Sequence, residues 1–594
     1  MDPYNTYSNN SHNHLGHDSH QAIEDVAEFY DSIDRTHLVK KISPEQPYVY
    51  FTMEVYDQKN GIKGGGGLGV LAADTRRVAE ELDIPFALVT PFYRSELHQT
   101  LNNLSQIEIT QEVSPTDFGY EYIDDVRIKI KNQPDAILNI YQKVLGSTRF
   151  LTMSEPNFGE LYGGDGSGDH RLYQEVSLGF GGYAALKRIK LKPAIIQLNE
   201  TATVFAAVAR LNELCSNGMN LYEALVYVRK HTLYTNHPLV QAAESEFGFD
   251  QFDRYVFPNI NSPALKRWLA GLFTNNHLKL STLTIELAEA KNGVSRLHAR
   301  VADYRDINGQ RVYFRAVTNG IDMNTWVLPE IIDYYRAHGI IDKFSLPSEN
   351  FTEQINKLPA DTIRELKSHG RALLNSILAE RKDQYGNPIT IPDDAIVFDF
   401  KRRFVDYKRP WMPFEKIDVL KEILLENNAH YIFTGKVHQG DTNMYGRLQY
   451  ILHLIDTDHL LKERVHYLQD YDEQLGLALA TGSDVAINLP IVGLEACGTS
   501  FMKDIANLKL LISTPDGGVA DIRPSACLEV LGDDYSSEVN SMYDQMRSAA
   551  TILHDDHRLE EEIHKQLSHY LPIISGSRMV KDYLKFLFNK ESPN

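Results

Sequence analysis

The segment Glu495-Ala-Cys-Gly-Thr-Ser-Phe-Met-Lys503 places a carboxylate, a small-residue turn with two hydroxyls and a lysine within one short stretch. A lysine amine condenses with an aldehyde such as that of pyridoxal phosphate, and a Gly-Thr-Ser turn offers N–H and O–H donors to bound groups. A second segment, Arg402-Arg-Phe-Val-Asp-Tyr-Lys-Arg409, is a local excess of positive charge. There Arg403 supplies a planar fork and Lys408 a point charge, both suited to phosphate. A third, Gly64-Gly-Gly-Gly-Leu-Gly69, exposes backbone N–H groups ahead of a helical stretch, a cradle for an anion. Its spacing is neither GxGxxG in a βαβ context nor GxxxxGK[ST], so no dinucleotide site or P-loop is indicated. Three further turns, Gln197–Thr201, Tyr234–Pro238 and Thr318–Gly320, present polar side chains suited to sugar hydroxyls. Each segment alone also has an ordinary reading: flexible loop, solvated basic face, common turn chemistry or surface lysine.

These segments need elements to hold them. Apolar runs at Tyr48–Met53, Phe86–Val89, Ala194–Leu198, Ala395–Phe400, Tyr431–Thr434, Val465–Leu468, Val485–Leu489 and Leu508–Ser513 read as strands. Several are continuous rather than alternating, as in parallel strands buried on both faces. Helical stretches such as Asp74–Leu82, Val204–Leu214 and Pro410–Leu425 lie between them. The alternation predicts an α/β fold with doubly wound sheets, and most of the polar segments fall at strand ends, where such sheets bind ligands. The polar, Gly- and Pro-containing stretch 380–394 marks a domain boundary. The expected organisation is a disordered polar tail over 1–25, an N-terminal α/β domain over 26–390, and a C-terminal Rossmann-like domain over 391–570. Residues 571–594 are expected to form a helix that packs back on the first domain.

The chain of 594 residues carries 60 basic and 80 acidic side chains, a formal charge of −20. That balance predicts neither a nucleic-acid nor a membrane partner, and an anionic substrate would need a local basic cluster. Cys215, Cys497 and Cys527 are far apart in sequence, which argues against a disulfide framework or cysteine zinc site and fits a reducing, cytoplasmic location. No apolar run is long enough for a transmembrane helix, and the N-terminal residues carry no signal-peptide core. His12, His14, His17 and His20 in that tail form a tract that could bind a metal; otherwise no metal site is expected.

Taken in order, the segments closely resemble the glycogen/starch/α-glucan phosphorylase family. The stretches that carry the resemblance are YFTMEV, GGLGVLAAD, FYRSELHQ, LYGGDGSGDHRLYQEVSLGFGG, QLNET, YTNH, NGVSRLH, TNGIDMNTW, RRFVDYKR, TGKVHQG, LQDY and LEACGTSFMK…TPDGG, spanning roughly residues 48 to 520. The shorter, maltodextrin-phosphorylase-like form, without a long N-terminal regulatory extension, is the most similar. The resemblance implies a GT-B arrangement of two Rossmann-like domains facing a central cleft. It also implies reversible, retaining phosphorolysis of α-1,4-glucan or maltodextrin by inorganic phosphate to α-glucose-1-phosphate, with the phosphate of pyridoxal 5′-phosphate serving in acid–base chemistry. Homodimers are usual in the family.

Residue by residue, the resemblance makes Lys503 the Schiff-base lysine and Arg403 and Lys408 the phosphate clamp, with the Gly67 backbone as a further donor. Arg402, Thr499 and Ser500 would lie at the cofactor phosphate and Tyr471 near its ring. His237, Asn319 and Glu495 would hold the transferred glucose, with Gly66, Gly67, Leu68, Cys497 and Gly498 lining its site. His237 also offers its backbone carbonyl to developing positive charge. Departures cluster at the sugar end: Cys497 stands for a usual Ser, Phe501 for Asn, Val405 for a frequent His, and Ala202 for His after Glu200. A usual Leu-Asn-Gly reads Ala506-Asn507-Leu508. Three alternatives follow. A nucleotide-sugar glycosyltransferase of the same architecture would carry Glu-x7-Glu, whereas this chain has Glu495-x7-Lys503. A non-catalytic glucan-binding paralogue would not release phosphate from glucose-1-phosphate. A divergent phosphorylase would act on another sugar.

Overall fold

In a computed structural model the described residues are 42–62, 66–159, 161, 168–238, 245–438 and 440–588. The N-terminal tail and its histidines, and Gly64 and Gly65 of the glycine run, lie outside them. The chain forms two compact units. One comprises the described residues of Asp34–Leu97, Thr110–Thr318 and Met579–Asn594; the other comprises His98–Ile109 and Asn319–Arg578. Residues 319–390, assigned to the first domain from sequence, thus belong with the second unit. The stretch 380–394 is a loop within that unit, joining the helix Ala360–Leu378 to the strand Ile396–Lys401.

The first unit is built on nine strands: β1 (Tyr48–Phe51), β2 (Phe86–Pro91), β3 (Glu121–Ile128), β4 (Ala136–Leu145), β5 (Thr148–Ser154), β6 (Ile195–Asn199), β7 (Thr232–Asn236), β8 (Ala290–Gly293) and β9 (Arg315–Ala316). Their order is β9-β8-β7-β6-β1-β2-β5-β4-β3. All neighbours pair in parallel except β3–β4 and β4–β5, which are antiparallel. The antiparallel edge departs from a doubly wound sheet, and connection length explains it. β4 and β5 are separated only by Gly146-Ser147, too short for a parallel crossover. The central strands β1, β2 and β6 are buried at every position, as expected of strands covered on both faces. The C-terminal helix Gly576–Phe588 sends Met579, Val580, Tyr583 and Leu584 into this unit's core beside Tyr48, Tyr50 and Phe86.

The second unit has six parallel strands: β10 (Ile396–Lys401), β11 (Ala429–Thr434), β12 (Val465–Leu468), β13 (Val485–Asn488), β14 (Leu510–Ser513) and β15 (Leu528–Glu529). Their order, β12-β11-β10-β13-β14-β15, is the 3-2-1-4-5-6 order of a Rossmann sheet. Both units are therefore α/β with largely or wholly parallel sheets. The hairpin formed by Ser95–Asn102 and Ser105–Glu112 contributes His98–Ile109 to this unit. There Gln99 donates its backbone N–H to Asp470, Thr100 its hydroxyl to Gln469, and Gln106 Nε2 to the Val437 carbonyl. No helix among the described residues is long and apolar enough to cross a membrane.

Candidate functional site

In a sheet of this order the chain reverses direction between β10 and β13, and the strand ends diverge to leave a crevice there. The loop after β10 carries Arg402, Arg403 and Lys408; the loop after β13 carries Glu495. They meet: Arg402 Nη2 lies 2.5 Å from Glu495 Oε2, and Lys408 Nζ lies 3.7 Å from the same oxygen. Arg402 also donates to the Asn488 side chain at the end of β13. Arg409 donates to the carbonyl of Leu489 at 2.8 Å, tying the two loops together. Asp516 accepts the backbone N–H groups of Leu494 and Glu495, at 3.2 and 2.8 Å, which fixes the turn that aims Glu495.

Arg403 behaves differently. Its side chain is exposed and makes no ion pair among the described residues, yet its charge reaches Glu495, Tyr407 and Lys408. Burial drives the Glu495 carboxyl up, but Arg402, Lys408 and Arg403 together outweigh it and hold the group below the usual carboxylate range. Burial and the neighbouring Arg402 pull Lys408 down to about 7, against the pull of Glu495. One carboxylate among three basic groups leaves a net positive crevice in a chain of charge −20, with one guanidinium uncommitted. That donor set suits a phosphate.

Gly435, at the end of β11, sits beneath this crevice with φ +147°, and a Cβ there would overlap the Arg402 carbonyl oxygen. Gly435→Ala is expected to cost about 1–3 kcal/mol and to displace Arg402. A lowered melting temperature with weakened sulfate binding is the expected result.

The loop after Glu495 leads into the helix Ser500–Ala506, which bears Lys503. A Cβ on Gly498 would run into the Arg402 guanidinium and come 3.2 Å from Glu495 Oε1, so this loop lies directly against the cationic cluster. Thr499 precedes the helix and Ser500 opens it. Lys503 is no surface residue: it is 6% exposed, and its Nζ lies 3.0 Å from the centroid of the Trp326 ring. Asn507 holds that arrangement by donating to the carbonyls of Trp326 and Lys503, both at 2.8 Å, and accepting from Leu328 N–H at 2.9 Å. Asn319 Nδ2 donates to the Cys497 carbonyl at 3.0 Å; its buried Oδ1 has no hydrogen-bond partner among the described residues. Burial pushes the Cys497 thiol up. Phe501 packs edge-to-face on Tyr570 in the core. Tyr471 packs against Gly476, and Lys401 and Asp504 lie near enough to act on its phenol, which burial pushes up to about 12.

An aldehyde cofactor with a phosphate tail fits this donor set. Lys503 supplies a buried amine, and the loop between it and Glu495 is flanked by guanidinium and ammonium groups, with an orphaned amide oxygen at Asn319.

The remaining predicted residues lie in the first unit, where the strand order reverses between β1 and β6. Asn199, at the end of β6, donates to Thr52 Oγ1 at 3.2 Å, just past β1. His237, just past β7, has its Nε2 2.8 Å from Asn199 Oδ1. The amide oxygen can only accept, so Nε2 carries the proton and Nδ1 keeps its lone pair. Burial and the nearby His298 hold His237 down to about 3, a neutral imidazole. Glu200 has φ +76°, a strained conformation for its type, and its carboxyl is pushed up to about 8 by burial, Arg171 opposing and Glu54 adding to the shift. The His237 backbone N–H bonds that carboxyl. Gly66, Gly67 and Leu68 begin the helix Gly67–Glu81, and Gly67 faces open space. Gly69 is needed for close approach, because a Cβ would stand 2.9 Å from the Tyr56 nitrogen.

Several supporting residues carried no role in the sequence analysis: His298, Trp326, Asn488, Asn507 and Asp516. Trp326 and His298 fall inside recognised stretches, TNGIDMNTW and NGVSRLH, so a signal existed for them. Asp516 lies within TPDGG, but its hold on the Glu495 turn has no counterpart in spacing.

A Rossmann-ordered sheet and a second, largely parallel one define an α/β protein of the doubly wound class. The chain belongs to the carbohydrate phosphorylase family, whose profile matches residues 268–590. It is 26% identical to a maltodextrin phosphorylase of Thermococcus litoralis, over 93% of this chain and 71% of that protein. It is also 26% identical to a glycogen phosphorylase of Mycobacterium tuberculosis, over 91% of this chain and 70% of that protein. An uncharacterized protein of Methanocaldococcus jannaschii is 24% identical over 91% of this chain and its own full length.

Lys408 yields a pH prediction free of the titration of phosphate itself, if sulfate is the probe. The folded protein holds Lys408 near 7, well below its value of 10.5 in the unfolded chain. Its charge, and the sulfate affinity that depends on it, is present below that pH and lost as pH rises through it. Affinity is expected to fall by up to about tenfold per unit above pH 7. Lys408→Arg, which stays charged, is expected to flatten that slope in calorimetric titrations.

Proposed function

We propose that the chain catalyses reversible, retaining phosphorolysis of an α-1,4-glucan or maltodextrin to α-glucose-1-phosphate, with pyridoxal 5′-phosphate attached at Lys503. The observation that carries this is the meeting of Arg402, Lys408 and Glu495, with Arg403 uncommitted, at the loop that leads to buried Lys503. The names of the phosphorylases it is similar to support the same substrate class.

When bound, the cofactor supplies a phosphate group able to exchange a proton with the substrate phosphate. Arg403 and Lys408 bind the substrate phosphate, the first by its fork and the second as a charge. With a value of about 7, Lys408 takes up or releases a proton at Nζ near neutral pH. Arg402, Thr499 and Ser500 would hold the cofactor phosphate, and Tyr471 would bound its ring. Glu495 stays ionised and accepts from sugar hydroxyls; Asn319 Oδ1 accepts another. In the first unit, His237 is a neutral imidazole whose ring and backbone carbonyl would be offered to a sugar and to developing positive charge. Cys497 stands in the sugar site, where its weak thiol bond leaves recognition to these neighbours.

Borohydride reduction followed by peptide mass mapping tests the attachment, with phosphate release from glucose-1-phosphate on a maltodextrin primer as the activity readout. A pyridoxyl group on Lys503 and phosphate release are expected. Active protein with Lys503 unmodified would falsify the assignment.

A further inference from the structure

Four charged side chains lie inside the second unit, and the proposed reaction uses none of them. Asp399 and Lys401 are two apart on β10 and so share one face of the sheet. Asp504 comes from the helix Ser500–Ala506 and Lys509 from the residues just after it. Lys401 Nζ donates to Asp399 Oδ2 at 3.0 Å and to Asp504 Oδ1. Lys509 Nζ donates to Asp399 Oδ1 at 2.5 Å and to Asp504 Oδ1 at 2.7 Å. Each ammonium therefore bonds both carboxylates, in a closed ring of zero net charge. Ser483 Oγ donates to Asp399 at 3.0 Å, and Lys509 also reaches the Leu479 carbonyl at 3.2 Å.

Asp504 directly follows Lys503, and Lys401 is as buried as Lys503, each 6% exposed. Three lysines thus bear on the same few residues. A lysine left without a carboxylate in such an interior sheds its proton, and a neutral amine is what attacks an aldehyde. Asp399 and Asp504 hold Lys401 charged, above the ordinary lysine range, whereas burial and the neighbouring Lys401 pull Lys509 down; Lys509 has no exposed surface at which an aldehyde could reach it.

We propose that Asp504 is a positioning residue that decides which lysine reacts: closing the ring with Asp399, it ties up Lys401 and Lys509 and anchors the helix turn that presents Lys503, so that an aldehyde cofactor attaches at Lys503 alone. The proposal presupposes Lys503 as the attachment residue. In the step concerned, Lys503 Nζ adds to the aldehyde carbon and a C=N bond forms. The carbonyl oxygen departs as water with the two protons of the amine. Borohydride then delivers hydride to that carbon and solvent a proton to the nitrogen, leaving a stable secondary amine.

Asp504→Asn leaves two lysines on one carboxylate, so one of them becomes a neutral amine. Lys509 is already pulled down by burial but has no exposed surface, whereas Lys401 loses one of the two carboxylates that hold it charged and is 6% exposed, so reactivity is gained at Lys401. Asp504→Asn combined with Lys509→Met restores a balanced Asp399–Lys401 pair. Each protein is incubated with pyridoxal phosphate, reduced with borohydride and mapped by mass spectrometry, with circular dichroism to establish folding. The wild type is expected to carry the label on Lys503 alone. D504N should lose that selectivity, with a second adduct on Lys401, and the double variant should regain it. Label confined to Lys503 in folded D504N overturns the proposal. Should D504N not fold, Lys509→Met carries the test, because surplus carboxylate keeps Lys401 engaged. Label on Lys503 alone then supports the proposal, and label on Lys401 overturns it. Wild-type protein without label on Lys503 removes the attachment itself, a result distinct from any change in selectivity.

Discussion

Lys503→Arg is expected to lower glucose-1-phosphate formation by about four orders of magnitude, the upper range of what positioned proton transfer contributes. Arginine keeps a positive charge over the Trp326 ring but cannot supply a neutral amine at working pH. The ring of Asp399, Lys401, Asp504 and Lys509 and the Asn507 bonds stay in place, so the variant should fold, at a lowered melting temperature because a larger head group enters a packed interior. Loss of activity together with loss of the borohydride-trapped pyridoxyl group, in protein that circular dichroism shows to be folded, is the combined expected outcome. Full activity in Lys503→Arg would exclude an attached aldehyde cofactor at this position.

Arg403→Ala carries the second large effect. Arg402 is committed to Glu495 and Asn488, and Lys408 shares Glu495; Arg403 makes no ion pair among the described residues. An exposed guanidinium contributes little to folding, so stability should change by no more than about 0.5 kcal/mol. Removing a preorganised donor to a reacting phosphate should lower kcat/KM for phosphate by about 10²–10³-fold. Arg403→Lys should recover only part of this, because an ammonium restores charge without the planar fork. Equal activity of wild type and Arg403→Ala would assign the phosphate elsewhere.

Much of the second unit is legible in sequence. The apolar runs at β10, β11, β12, β13 and β14 are nearly continuous because parallel strands are covered on both faces, and each was placed to within a few residues. The antiparallel edge β3–β5 was not placed. β3 and β4 mix buried, half-buried and exposed positions and so give no continuous apolar run, although β5 is buried almost throughout. The boundary also differs. A polar loop at 380–394 looks like a linker, but Asn375 holds its end by bonding Ile391 through both its amide groups, and only tertiary contacts reveal that.

Lys503 illustrates the division. Residue type and order gave it a chemical role, because the Glu495–Lys503 spacing and its neighbouring motifs are covalent facts of the chain. Asp399 and Lys401 likewise had to share a face, because a strand repeats every two residues. Burial of Lys503 against Trp326, the convergence of Arg402 and Lys408 on Glu495, and the bonding of both lysines to Asp399 and Asp504 were decided only by the fold. Apart from the local bonds Lys401–Asp399 and Lys509–Asp504, those contacts join residues from roughly ninety to nearly two hundred positions apart. Their existence depends on which strands lie side by side and on how the interior excludes water, and no local pattern encodes either.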